Sequence, residues 1–174
     1  MATHNPALSK DSTIYNYKLM KRMRHSLVKI AFYLAMLAAL AGLGLKHGSW
    51  APYLLSYPIL LVAHVVLVRL YFQFTVGGMM RNWTFHWGFF WIGLLPVGNA
   101  SIRLVSRVQL HLFWIGLTGL AVLYPWMPPN WMYALMLVHM WMLVPRLWML
   151  FRFRPYRKAG LIKITGKDTS CYLH

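Results

Sequence analysis

A chain of 174 residues that is 59% hydrophobic and only 11% charged lies outside the composition of soluble globular domains, and it has room for one bundle. Its 18 Lys and Arg face two acids, Asp11 and Asp168. The resulting net charge of +16 sits beside apolar stretches, which points to anionic phospholipid or an acidic partner subunit and away from nucleic acid.

Cys171 is the single cysteine, so neither an internal disulfide nor a cysteine-based metal cluster forms within one chain. From the N-terminus, Asp11-Ser12-Thr13 offers helix-capping oxygens. Beyond it, Lys18, Lys21, Arg22, His25 and Lys29 fall along one helical face, with Met20, Met23, Leu27 and Ile30 on another. Residues 1–26 are therefore expected to be a basic amphipathic segment, helical at headgroup depth, leading into a first span at about 27–45. Ala39-Leu40-Ala41 has the form of a signal-peptidase site, but the long basic region before it favours an uncleaved anchor. The pairs Ala35/Ala39 and Ala38/Gly42 allow a neighbouring helix to approach closely.

Lys46-His47-Gly48-Ser49 reads as a polar turn before a second span at 51–72, which Pro58 should bend. The apolar stretch that follows, about 85–97, is short against the roughly 20 residues a helical crossing needs. Trp83, Trp87 and Trp91 recur every four residues, so 83–97 is expected to be an interfacial or re-entrant helix with its indoles on one face. Two further spans are expected at 107–124 and 131–151, separated by Pro125, Pro128 and Pro129, and a basic tail occupies 152–174. Within that tail, Leu161–Thr165 alternates apolar and polar side chains before a turn at Gly166-Lys167-Asp168, the pattern of a short strand or an extended docking segment.

Charge decides how these stretches thread a bilayer, because Lys and Arg gather on cytoplasmic flanks. If all five apolar stretches cross, the basic residues divide eight against ten; if 83–97 does not cross, seventeen lie on one side and only Lys46 on the other. The expected architecture is thus an all-α integral membrane protein with four transmembrane helices, an N-terminal amphipathic helix and a short interfacial or re-entrant helix. Both termini would be cytoplasmic in a bacterial inner membrane, or on the matrix side in a mitochondrion. On that side the sequons at Asn82 and Asn99 would carry no glycan.

The chemistry in the spans is sparse. None contains an acid, which removes carboxylate proton relays and carboxylate-bound divalent cations. No HExxH, GxxxxGK[ST] or GxSxG pattern occurs. His64 and His139 both fall near mid-depth, the arrangement that would hold one haem b between two axial imidazoles; in span number and mid-membrane histidines the chain is similar to small four-helix b-type membrane cytochromes. No helix carries two histidines about thirteen residues apart, so a stacked two-haem arrangement is not implied. Met132, Met136 and Met140 form a stripe that suits Cu(I) in ligand type and helix packing in general. The terminal Cys171-Tyr172-Leu173-His174 has the outline of a prenylation box with an unusual last residue.

Arg69, Arg103, Arg107 and Arg146 gather at the expected inner boundary, where together they could grip a phosphate, a cardiolipin headgroup or an acidic subunit. With Lys18, Lys21, Arg22, Arg81 and the three tryptophans they form the expected lipid or partner surface. The function that follows is a non-catalytic membrane subunit or accessory element of a larger complex, respiratory, secretory or conjugative, with other membrane subunits and anionic phospholipids as partners. A single-haem cytochrome subunit using His64 and His139 is the alternative. A third is a small anion or lipid transporter built on the inner arginines and the 83–97 stretch.

Overall fold

The computed structural model describes residues 17–46, 48, 50–76, 82–88 and 90–173. Arg81 of the expected contact surface and most of the N-terminal segment lie outside the described residues. Four helices are long and apolar enough to cross a membrane. They are α1 (Leu27–Lys46), α2 (Trp50–Tyr71), α3 (Ile102–Leu123) and α4 (Pro129–Arg152). Each is more than 18 residues of mostly Leu, Val, Ala, Met and aromatic side chains, the length and composition that keep every backbone hydrogen bond internal in an apolar medium. Pro58 and Pro145 sit inside α2 and α4 without ending either helix. α3 starts five residues before the expected position, so Arg103 and Arg107 belong to its first two turns.

The all-α expectation is corrected by six strands: β1 (Lys18–Arg24), β2 (Trp83–Trp87), β3 (Ile92–Pro96), β4 (Asn99–Ser101), β5 (Gly160–Ile164) and β6 (Asp168–Leu173). They form an antiparallel sheet in the order β1-β6-β5-β4 and a separate β2-β3 hairpin. The expected amphipathic helix is thus replaced over 18–24 by a strand, whose Lys18 pairs with Leu173 and Arg24 with Asp168. Pairing across almost the whole chain leaves no local signature beyond the alternation itself, and Lys18, Lys21, Arg22 and His25 mimic a polar helical stripe. The expected interfacial helix at 83–97 is the hairpin, in register from Trp83 opposite Pro96 to Trp87 opposite Ile92. A spacing of four puts Trp83 and Trp87 on one face of a strand as well as of a helix, because it is a multiple of both two and nearly 3.6.

The tail strand expected at 161–165 is present, but it pairs inside the chain with β4 and β6 instead of with a partner's sheet edge. The inward face of the sheet carries Ile162 and Cys171, both fully buried, with Ala100, Met23 and Ile164 packed beside them on the bundle core. Helix α1 leaves from β1, α3 continues directly from β4, and α4 leads into β5. The sheet therefore caps the end of the bundle where α1 and α3 begin and α4 ends. Of the described Lys and Arg, all but Lys46 lie on that cap or within two turns of that end. α1 is the most thinly attached span, with Tyr33, Leu40 and Gly44 its buried residues, and its small-residue pairs face outward: nothing lies within 4 Å of a β-carbon built on Gly42.

Candidate functional site

At the capped end, Arg103 and Arg107 from α3 face Arg154, Pro155, Arg157 and Lys158 from the turn after α4 across an open cavity of about 500 Å³. The spacing of four puts the two α3 arginines on one helix face. On the other wall, a proline at 155 disfavours further α-helix, and Arg154–Tyr156 tightens into a single 3-10 turn. Gly160 holds the two walls together. A β-carbon there would collide with the Tyr156 carbonyl and the Ile102 side chain, so only glycine lets β5 start against the first turn of α3.

All five cations are exposed, and no acid lines the cavity. The one carboxylate side chain among the described residues, Asp168, is committed elsewhere: it pairs with Arg22 and accepts the Thr165 hydroxyl. Burial alone would raise the Asp168 carboxyl, but the Thr165 hydroxyl and the Arg22 guanidinium outweigh it and hold the pKa below the usual range. Like charges at helical spacing of four repel by a few tenths of a kcal/mol per pair even when solvated. Five together therefore favour the approach of an anion, and guanidinium forks match the oxygen geometry of phosphate.

The expected four-arginine group is divided by the fold. Arg103 and Arg107 line the cavity, whereas Arg69 is exposed on the last turn of α2 and does not. Arg146 is only 3% exposed. Its Nε donates to the Phe90 carbonyl at 3.0 Å and its Nη2 to that of Ile92 at 2.6 Å, so it ties the entry to β3 onto α4. Around it, Tyr33 stacks on Trp141 with ring centroids 4.2 Å apart, and the Trp141 indole donates to the Tyr33 carbonyl at 3.0 Å.

Among the other expected contact residues, Lys18 is exposed, while Lys21 donates to the Arg152 carbonyl at 3.5 Å. The tryptophans separate: Trp87 is 74% exposed, Trp83 is half-buried against Phe72, and Trp91 is buried with its indole donating to Thr169 Oγ1 at 3.0 Å. That hydroxyl can in turn donate to His25 Nε2, 3.2 Å away, while His25 Nδ1 lies 3.3 Å from the Gly166 carbonyl. The Gly166 carbonyl only accepts, so His25 carries a proton on Nδ1. Burial, the largest influence on its pKa, lowers it.

His64 and His139 do meet. His64 Nε2 is 3.2 Å from His139 Nδ1, and His139 Nε2 is 3.2 Å from the Phe113 carbonyl. A carbonyl only accepts, so His139 carries its proton on Nε2, and His64 donates to it from Nε2. His64 Nδ1 is left buried without a partner. Rings joined by a direct hydrogen bond leave no interval for an iron and its porphyrin, and His139 presses on Gly116 so closely that a β-carbon there would overlap it. The pair does not fit axial haem ligation in this arrangement; it is a helix-to-helix hydrogen bond.

Arg154, Arg157 and Lys158 carry no signal in the sequence beyond membership of a basic tail, and their convergence with Arg103 and Arg107 joins residues some fifty apart. No protein-family model matches the chain, and neither a curated protein nor a solved structure matches it.

Proposed function

We propose that this chain is a non-catalytic integral membrane subunit or accessory element of a larger membrane assembly. Its strand-capped end faces the cytoplasm, or the matrix in a mitochondrion, and contacts anionic lipid or an acidic partner surface. The observation that carries this reading is the group of five uncompensated cations converging on one cavity at the capped end. The distribution of the remaining Lys and Arg supports the orientation, since the uncapped end carries only Lys46 among the described residues.

Extraction in mild detergent, with the full chain tagged and expressed at its native level, tests the assembly role. The expected outcome is migration as a defined complex with a fixed set of membrane proteins, retained through a second chromatographic step. A homogeneous monomer that binds neither another protein nor any anionic lipid would exclude the reading.

A further inference from the structure

We propose that the cavity between Arg103, Arg107, Arg154, Arg157 and Lys158 is a binding site for the headgroup of a phospholipid carrying at least two phosphate charges. This deepens the anionic-lipid reading above and rests on it. Charge number is the first argument. A single phosphodiester brings one negative charge and is satisfied by one or two guanidinium forks, whereas this cavity assembles four guanidiniums and an ammonium with no carboxylate to offset them. Volume is the second: about 500 Å³ lies within the range of sites that enclose an organic ligand and exceeds what one simple anion fills.

The third argument separates a lipid from a soluble phosphate. On α3 the exposed stripe Arg103, Arg107, Leu110, Trp114 follows one helix face, changing from charged to apolar away from the cap. On α4 exposed Val144, Trp148 and Phe151 lead toward Arg154, and the Trp148 and Phe151 rings stack with centroids 6.5 Å apart. Both walls therefore pair a cationic rim with an apolar flank. A headgroup held at the rim would lay its acyl chains along these flanks, with the indoles at the level where amphipathic rings prefer to lie. A free phosphate would use only the rim.

Native mass spectrometry of the full chain released from detergent tests this. The probes are cardiolipin with two phosphates, phosphatidylglycerol with one, phosphatidylcholine, and inorganic pyrophosphate as the soluble source. The expected result is retained cardiolipin, with phosphatidylglycerol bound more weakly on the order of tenfold and pyrophosphate not retained. The double variants Arg103→Gln/Arg107→Gln and Arg154→Gln/Arg157→Gln should each weaken cardiolipin binding on the order of tenfold or more. Lys163→Gln/Lys167→Gln removes the same charge elsewhere on the cap and should change it less than about twofold. These side chains are exposed, and a sharp monodisperse peak for each variant shows that it is folded.

Equal losses in the cavity and control doubles would overturn the site while leaving the general anionic-lipid reading standing. Equal retention of phosphatidylglycerol and cardiolipin would overturn the requirement for two charges. Pyrophosphate retained as well as cardiolipin would overturn the lipid. If the unmodified chain retains no anionic lipid at all, both the site and the broader reading fail.

Discussion

His25 shows how one side chain links the cap to the core, because its ring stands between the Gly166 carbonyl and the Thr169 hydroxyl while packing edge-on to Phe90 at 5.1 Å. Its pKa is lowered, chiefly by burial. A lowered histidine means that the unfolded chain binds the proton more tightly, so its stabilising contribution is complete above the unfolded value of about 6.5 and is lost as pH falls toward the folded value. Asp168, also lowered, contributes above its unfolded value of about 3.9 and loses that contribution only in stronger acid. Protection of the β1 and β6 amides, taken relative to their intrinsic exchange at each pH, should thus fall between pH 7 and 5, and His25→Gln should flatten that dependence. An unchanged profile in the variant would assign the effect to another group. Gly116 offers a second residue-scale test. The His139 ring occupies the place of its missing side chain, so Gly116→Ala should displace the ring, break the His64 bond and destabilise by about 1–3 kcal/mol, read from thermal unfolding in detergent. His64 and His139 were legible as mid-helix histidines, but that they bond to each other depends on how α2 and α4 pack.

At the level of elements, the hairpin is held to α4 by few but deeply placed polar bonds, and the four-stranded cap is held to the bundle by apolar packing. Arg146 supplies two of those polar bonds to the Phe90 and Ile92 carbonyls, and a hydrogen bond from a charged donor is worth about 1.5–3 kcal/mol. Arg146→Lys keeps the charge but replaces a two-pronged fork by one ammonium. It should cost about 1–3 kcal/mol and open the 88–97 segment to limited proteolysis before the helices melt. Gly160→Ala should be comparably harmful for a steric reason, since the added methyl meets both Tyr156 and Ile102. It should also separate the walls of the basic cavity, so lipid retention and melting temperature should fall together. The four long helices were visible in hydropathy because each is one continuous stretch of chain. The strands were hidden in different ways: β5 showed its alternation, β1 carried a pattern that a helix also explains, and β2 kept the tryptophan spacing common to both periods.

For the molecule as a whole, orientation and salt response follow from the one-ended charge. In intact cells with Cys171→Ser as background, a cysteine at Lys46 should react with an impermeant maleimide, whereas cysteines at Lys163 or Arg157 should react only after permeabilisation. The reverse pattern would overturn the proposed topology. Binding to vesicles rich in anionic lipid should weaken steeply as ionic strength rises from about 0.1 M to about 1 M, where the Debye length shrinks from about 10 Å to about 3 Å. The amino-acid sequence by itself determined the number of long apolar helices, the segregation of basic residues and the absence of acids from those helices, because hydropathy and charge accumulate along contiguous chain. Only the tertiary structure decided that residues 18–24, 83–87 and 92–96 are strands, that Arg146 is an internal tie, and that Arg103 and Arg107 share a cavity with Arg154, Arg157 and Lys158. The pairing of β1 with β6 and the basic cavity join segments far apart in the chain, which neither segment records alone, whereas the tryptophan spacing of the local hairpin fits a helix as well as a strand.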